Sequence, residues 1–148
     1  MKNIFITGAL GQDGKILTKI LLTKKKYRVF LLGKKNDTSV KKKIKFIKVN
    51  LLNTKNLKNI FKNNIPNIIV HLAANNPAYN EVSYKKFYKD NIYGSKNLFN
   101  ISYKYNPKIK FIFANSSQIF KKKNGTVNEN SEKIIAKNYT KFYTKFRI

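Results

Sequence analysis

The sequence contains no cysteine and only one histidine, His71. Without thiols, the chain has no disulfide, no thiolate zinc site and no cysteine nucleophile. A single histidine gives no basis for a metal cluster. No run of about 18 apolar residues occurs, and the chain opens on a short apolar run that leads into glycines rather than on a cleavable leader. These absences indicate a cytoplasmic protein with no membrane span and no metal.

Acidic residues are also scarce: the sequence has 6 of them and 32 basic residues, which gives a formal net charge of +26. Such a charge raises the hypothesis of a nucleic-acid or polyanion binder. However, only Arg28 and Arg147 are arginines, and specific readers of DNA depend on the planar fork of arginine. Lys, Asn, Ile, Phe and Tyr share A/T-rich codons, so the base composition of the coding DNA accounts for the charge. A nucleic-acid function is therefore disfavoured, although the positive field attracts anionic ligands.

Apolar runs alternate with helical patterns along the 148 residues, a length typical of one domain. The runs predict strands over 3–7, 27–32, 44–49, 67–73 and 108–114. Helical spacing predicts one helix through Ile16, Leu17, Ile20 and Leu21, one that Asn53 or Thr54 caps and that Pro66 closes, and a long crossover helix over 84–105. This alternation predicts a parallel, doubly wound α/β sheet that binds ligands beyond the carboxyl ends of its strands.

The first predicted strand runs into the sequence Thr-Gly-Ala-Leu-Gly-Gln-Asp-Gly over residues 7–14. Its glycines, Gly8, Gly11 and Gly14, are three residues apart at a strand-to-helix turn. Glycines at such a turn let backbone amides approach a pyrophosphate at the positive end of the helix. The context of strand, turn and helix makes this pattern a prediction of dinucleotide binding.

The same run resembles the Thr-Gly-x-x-Gly-x-x-Gly motif of the extended short-chain dehydrogenase/reductases, which have a Rossmann fold. Its Gly-Gln-Asp-Gly part is similar to that of the GDP-mannose 4,6-dehydratases within the NAD-dependent epimerase/dehydratase family. Three further segments resemble motifs of those enzymes in the same order: His-Leu-Ala-Ala-Asn at 71–75, Asn-Ile-Tyr-Gly-Ser at 91–95 and Ala-Asn-Ser-Ser-Gln-Ile-Phe at 114–120.

The resemblance implies a nicotinamide dinucleotide as cofactor. Lys34 and Lys35 follow the second strand, where cations suit a 2′-phosphate, so NADP is preferred over NAD. Asn50 and Leu51 stand where the family has Asp-Leu beside the adenine. The implied cofactor-binding residues are Gly8, Gly11, Gln12, Asp13, Gly14, Lys34, Lys35, Asn50, Leu51, Leu72, Ala73, Ala74 and Asn91.

The resemblance also implies oxidation of a nucleotide-bound hexose at C4 by transient hydride transfer, followed by loss of water or by epimerisation. Ser116 corresponds to the residue that orients the sugar hydroxyl, and a tyrosine serves as the base. Tyr139 and Tyr143 are both candidates, because the family's Tyr-x-x-x-Lys pattern is absent from the duplicated Tyr-Thr-Lys-Phe segment. Gln118 replaces the glutamate that acts on the C5 proton in the dehydratases, which counts against dehydration.

We therefore interpret residues 1–148 as a nucleotide-binding domain that stops before the substrate-binding region and is inactive alone. The favoured function is that of a nucleotide-sugar dehydratase or epimerase, with GDP-mannose as the suspected substrate. A 4-epimerase or reductase of the same superfamily is one alternative, and a non-catalytic polyanion or nucleic-acid binder is the second. Family members often pair through the crossover helix and the helix after the active serine; this sequence keeps only the first of these intact, so a homo-oligomer and a monomer both stay open.

Overall fold

The computed structural model describes residues 1–34, 44–75, 84–114, 120–121 and 125–133. Strands and helices alternate along these ranges. The strands are β1 (Lys2–Thr7), β2 (Tyr27–Gly33), β3 (Lys45–Lys48), β4 (Ile68–His71) and β5 (Lys110–Phe113). The α-helices are α1 (Gln12–Leu22), α2 (Thr54–Asn63), α3 (Tyr84–Tyr88) and α4 (Gly94–Tyr105), and a π-helical turn over Lys89–Tyr93 joins the last two.

The five strands form one parallel sheet in the order β3-β2-β1-β4-β5. Phe5 of β1 lies at the centre and pairs in register with Phe30 of β2 and Ile69 of β4. The chain first moves outward from β1 to β3 and then returns to β4 on the other side of β1. The strand order therefore switches between β1 and β4, which confirms the predicted Rossmann-like topology.

Alternate residues of the central strands bury apolar side chains on both faces of the sheet. On one face, Phe5 stacks on Phe30 with 4.5 Å between ring centroids and meets the edge of Phe61 from α2. Leu98 of α4 joins this cluster. On the other face, Ile4 and Ile6 pack in a cluster with Leu21 of α1. Helices thus cover both faces, as a doubly wound sheet requires.

Helix α1 forms where predicted, but only part of its apolar pattern faces the core. Leu21 is buried, whereas Ile16 and Ile20 are 54% and 52% exposed. The small residues Gly14 and Thr18 occupy the buried face instead. The helix therefore packs closely on the sheet through small side chains, which the apolar spacing did not indicate.

Helix α2 begins after Asn53, whose side chain accepts a hydrogen bond from the Asn56 N–H at 2.9 Å. Of the two predicted caps, Asn53 is the N-cap and Thr54 is the first helical residue. The helix ends at Asn63, before Pro66. Its buried face carries Leu57, Ile60 and Phe61, the residues predicted from their spacing.

The predicted crossover helix is helical over the whole of 84–105, but it is not α-helical throughout. The Gly94 N–H donates to the carbonyl of Lys89, five residues earlier, so a π-helical turn separates α3 from α4. The predicted stripe is nevertheless buried, including Phe87, Asn91 and Leu98. The buried residues keep steps of three and four across the turn, so their spacing does not reveal it.

β1 and β2 are each one residue longer than predicted, whereas the other three strands are shorter than their apolar runs. β3 covers Lys45–Lys48 rather than 44–49, β4 ends at His71 rather than at residue 73, and β5 covers Lys110–Phe113 rather than 108–114. Leu72 and Ala73 leave the sheet and continue as a loop beyond its carboxyl edge.

None of the helices in the described ranges is long and apolar enough to cross a membrane.

Candidate functional site

A cavity of about 400 Å³ opens at the carboxyl ends of β1, β2, β3 and β4. This volume lies within the usual range of small-molecule sites, and the position is that of the switch in strand order. Its walls come from the glycine turn, the ends of β2 and β3, the loop after β4 and the π-helical turn. The lining residues are Thr7, Gly8, Ala9, Leu10, Gly11, Leu32, Gly33, Lys34, Val49, Asn50, Leu51, Leu52, Leu72, Ala73, Ala74, Asn75, Asp90 and Asn91.

Gly8 and Gly14 allow the glycine turn to pack tightly. Gly8 has a φ of +71°, and a Cβ there would lie 2.7 Å from the Ala73 backbone nitrogen. A Cβ on Gly14 would lie 2.4 Å from the Gly8 carbonyl oxygen. Both clashes involve backbone atoms, which have little freedom to move. These two glycines therefore fix the turn against the loop after β4 and against the start of α1.

Gly11 has different surroundings. Its φ of −72° and ψ of 172° suit any residue, and a Cβ on Gly11 would meet the Gly8 carbonyl oxygen at 3.2 Å and no other nearby atom of the described residues. Gly11 also precedes α1 without providing a side-chain cap. The first backbone N–H groups of a helix have no partner within it and carry partial positive charge. An anion in the cavity would satisfy them.

A buried polar network supports the cavity wall between β1 and β4. The Thr7 hydroxyl accepts a hydrogen bond from the Ala73 N–H at 3.2 Å and contacts Nδ1 of His71. Nε2 of His71 contacts the hydroxyl of Ser95 in α4. Each ring nitrogen of His71 thus has a hydroxyl partner. The network joins β1, β4 and α4 directly behind the site.

The π-helical turn fixes the loop at Asn75. Asn91 accepts a hydrogen bond from the Asn75 N–H at 2.8 Å, and its Nδ2 group donates to the Asn75 carbonyl at 3.0 Å. The neighbouring Asp90 accepts from Nδ2 of Asn75 at 2.9 Å. The same carboxylate oxygen forms an ion pair with Nζ of Lys34 at 2.8 Å. One segment thus connects the loop after β4 with the end of β2.

The segment that follows β3 forms part of the apolar wall of the cavity. Val49 is buried, and Oδ1 of Asn50 accepts from the Leu52 N–H at 3.1 Å, which closes a turn. The Leu51 carbonyl accepts from Nδ2 of Asn97 in α4. A Cβ on Gly94 would lie 3.3 Å from the Leu51 side chain. Helix α4 therefore holds this turn in place.

Nine of the predicted cofactor-binding residues line the cavity: Gly8, Gly11, Lys34, Asn50, Leu51, Leu72, Ala73, Ala74 and Asn91. Gln12, Asp13 and Gly14 lie in the first turn of α1 and are not part of its lining. Lys35, Ser116, Tyr139, Tyr143 and Gln118 lie outside the described residues.

Sequence reasoning missed three polar lining residues, Thr7, Asn75 and Asp90. Asn75 ends the His-Leu-Ala-Ala-Asn motif, and Asp90 directly precedes Asn91, so their positions beside motif residues were the available signal. Thr7 and His71 also had no predicted structural role, although each ends a strand and begins a motif. Among the described residues, no group of three metal-ligating side chains comes together.

The fold of the chain matches several solved structures with less than 25% identical residues. The UDP-Glc/GlcNAc 4-epimerase of Campylobacter jejuni matches with a TM-score of 0.83 and 20% identity, over 99% of this chain and 46% of that one. The enzyme WbmH of Bordetella bronchiseptica, solved with NAD+, matches with a TM-score of 0.80 and 19% identity, over 98% of this chain and 49% of that one. The dTDP-glucose 4,6-dehydratase of Bacillus anthracis, solved with NAD, matches with a TM-score of 0.76 and 21% identity, over 99% of this chain and 48% of that one.

The chain therefore spans just under half the length of these structures. A comparison with curated proteins gave no match. A family model, in contrast, matches nearly the whole sequence, over residues 4–144. The chain belongs to the NAD-dependent epimerase/dehydratase family.

Proposed function

We propose that residues 1–148 bind a nicotinamide dinucleotide and form the cofactor-binding domain of a nucleotide-sugar epimerase or dehydratase. The observation that carries the proposal is the cavity at the switch in strand order, where Gly11 lines the wall at the uncapped start of α1. Helix starts of this kind bind phosphate groups through backbone N–H groups. A pyrophosphate is therefore the ligand part that suits this wall.

The remaining walls suit the other parts of a dinucleotide. Leu32, Val49 and Leu51 offer an apolar surface for adenine, and Nδ2 of Asn50 would donate to the ring because Oδ1 of that residue closes a turn. Gln12, Asp13 and Gly14 would contribute backbone N–H groups from the first turn of α1. Leu72, Ala73 and Ala74 would border the dinucleotide on the β4 side.

The choice between NADP and NAD depends on the residues after β2. Lys34 and Lys35 are the cations that favour NADP, because a ribose 2′-phosphate is recognised at this position in Rossmann folds. Lys34 lies in the cavity lining, where its ammonium group is paired with Asp90. NADP binding through Lys34 therefore requires this ion pair to open or to share its cation.

For the reaction, bound nicotinamide would supply a reversible hydride acceptor. Ser116 would orient the sugar hydroxyl, and Tyr139 or Tyr143 would take its proton. The Gln12-Asp13 pair favours a GDP-mannose 4,6-dehydratase, whereas Gln118 lacks the carboxylate that dehydration uses and favours a 4-epimerase or reductase. Mass spectrometry of a nucleotide sugar after incubation with the complete enzyme separates these alternatives, because dehydration removes water and epimerisation does not.

Dinucleotide binding is tested by enlarging Gly11 step by step to Ala, Val and Leu. Gly11 lines the cavity, and its backbone conformation is one that L-residues adopt easily, but a Cβ there would meet the Gly8 carbonyl oxygen at 3.2 Å. We expect the affinity for NADH and NADPH, measured by calorimetry, to fall progressively and to be lost in Gly11→Leu. Thermal unfolding of each variant measures what the contact with Gly8 costs the fold and separates that cost from the loss of binding. Asn59→Val, at an exposed position of α2 outside the cavity, is the matched control and should bind as the unmodified chain does.

Two results would contradict the proposal. One is the absence of saturable binding of either dinucleotide, and the other is unchanged binding in Gly11→Leu. Failure to bind dinucleotide together with binding to duplex DNA that weakens steeply with salt would favour the polyanion-binding alternative.

A further inference from the structure

The ion pair between Lys34 and Asp90 crosses the cavity from the end of β2 to the π-helical turn. The two residues are 56 positions apart in the chain, and both line the cavity. The Lys34 side chain is 54% exposed, whereas that of Asp90 is only 11% exposed. The carboxylate is thus the fixed partner, and the lysine is the side chain that has freedom to move.

Asp90 is fixed because several contacts hold its segment. Its carboxylate also accepts from Nδ2 of Asn75, and the adjacent Asn91 forms two hydrogen bonds with the Asn75 backbone. The π-helical turn lets these two consecutive residues reach the same loop. π-helical turns within α-helices are frequent at functional sites.

We propose that Asp90 is a specificity-determining residue that disfavours dinucleotides with a 2′-phosphate by holding Lys34. The inference rests on the proposed binding of a nicotinamide dinucleotide. Lys34 directly follows β2, at the position that reads the 2′-group of the adenosine ribose in this fold. Its ammonium already has a carboxylate partner, so Lys34 offers little net charge to a phosphate.

A 2′-phosphate would face two costs at this wall. It has to compete with Asp90 for the Lys34 ammonium, and if it wins, a poorly solvated carboxylate is left facing a phosphate of like charge. A ribose 2′-hydroxyl has neither cost, since it bears no charge. The ion pair therefore changes the interpretation of Lys34 from a cation that attracts NADP to one that is neutralised.

The test replaces Asp90 by asparagine, which keeps the shape and an oxygen that accepts from Asn75. Calorimetric titration of the 148-residue chain with NADPH and NADH gives the ratio of their dissociation constants. We expect Asp90→Asn to shift this ratio toward NADPH by about 3- to 10-fold, the effect of one partly exposed charge. Glu132→Gln, which removes the carboxylate of the exposed Lys121–Glu132 ion pair, is the matched control and should leave the ratio unchanged.

A second variant tests whether Asp90 acts by holding Lys34. Lys34→Gln alone leaves Asp90 without its cation and should weaken NADPH more than NADH on either interpretation, so the informative comparison is in the Asp90→Asn background. There the released Lys34 ammonium is what should favour NADPH, and adding Lys34→Gln should return the ratio of dissociation constants to about that of the unmodified chain. A ratio that Lys34→Gln leaves unchanged in this background would overturn the inference.

The outcomes separate this inference from the proposed function. Binding of a dinucleotide by the unmodified chain, with the same ratio in Asp90→Asn, overturns the role of Asp90 and leaves the proposed function standing. Binding of neither dinucleotide by the unmodified chain overturns both.

Discussion

Two glycines with positive φ, Gly8 and Gly125, differ in what surrounds them. A Cβ on Gly8 would lie within 3 Å of backbone atoms of Leu72 and Ala73, whereas a Cβ on Gly125 would meet nothing within 4 Å among the described residues. Gly125→Ala should therefore lower the free energy of unfolding by at most about 2 kcal/mol, the cost of backbone strain alone. Gly8→Ala should lower it by more than about 3 kcal/mol, because the glycine turn and the loop after β4 have to separate as well.

Urea denaturation of both variants measures this difference, and φ is nearly the same at the two positions, 71° and 78°. Equal losses of stability would mean that the contact between the glycine turn and the loop after β4 contributes nothing beyond backbone strain.

The hydroxyl of Thr7 has a structural role that a methyl group does not replace. Thr7→Val keeps the shape but leaves the Ala73 N–H and Nδ1 of His71 without this partner, at a cost of about 1–3 kcal/mol. Thr18→Val is the matched control, because the Thr18 hydroxyl donates only to the Gly14 carbonyl within α1, which the helix backbone also reaches. We expect a clearly lower urea midpoint for Thr7→Val than for Thr18→Val, and the reverse order would contradict the network.

At the scale of single elements, the start of α2 offers a test of stability that is separate from binding. The Asn53 side chain caps this helix, so Asn53→Ala should lower the free energy of unfolding by about 1 kcal/mol, whereas Asn53→Ser should retain most of it. Neither variant touches the cavity lining. Chemical denaturation measures the first effect, and unchanged affinity for dinucleotide is the expected second result. An Asn53→Ala variant with an unchanged free energy of unfolding would show that this end of the helix depends on packing alone.

The sequence predicted best those elements whose formation depends on residues close together in the chain. Apolar runs at 29–32 and 68–70 predicted buried parallel strands, because such strands are covered on both faces. The spacing of Gly8, Gly11 and Gly14 predicted the turn, because only glycine tolerates the close backbone contacts seen at Gly8 and Gly14. The ends of the strands were less predictable, since Leu72 and Ala73 are apolar in the loop as well.

The elements that the sequence did not predict depend on distant partners. The π-helical turn at Lys89–Tyr93 leaves the apolar stripe unchanged, and its role becomes apparent only when Asp90 meets Lys34 and Asn75. The Thr7–His71–Ser95 network joins three elements that are far apart in the chain. The roles of Ser116, Tyr139 and Tyr143 stay predictions.

At the scale of the whole molecule, charge is the dominant feature. Against 32 basic residues the chain has only 6 acidic ones, and the described residues contain just two ion pairs, Lys34–Asp90 and Lys121–Glu132. Most of the cations therefore repel one another on the folded surface, and this repulsion opposes the compact state. Within the described ranges, few attractive pairs exist that added salt would weaken.

The stability of the chain should consequently rise with salt. Between about 50 and 500 mM sodium chloride, the screening length falls well below the size of the domain, so mutual repulsion of the lysines decreases. We expect the urea midpoint to increase over this range. A double variant, Lys24→Gln with Lys25→Gln, removes two neighbouring charges from an exposed turn and should be more stable than the unmodified chain at low salt, with a smaller salt response. A midpoint that falls with salt would mean that attractive pairs outweigh repulsion, and the lysines would then have carboxylate partners beyond the two ion pairs of the described residues.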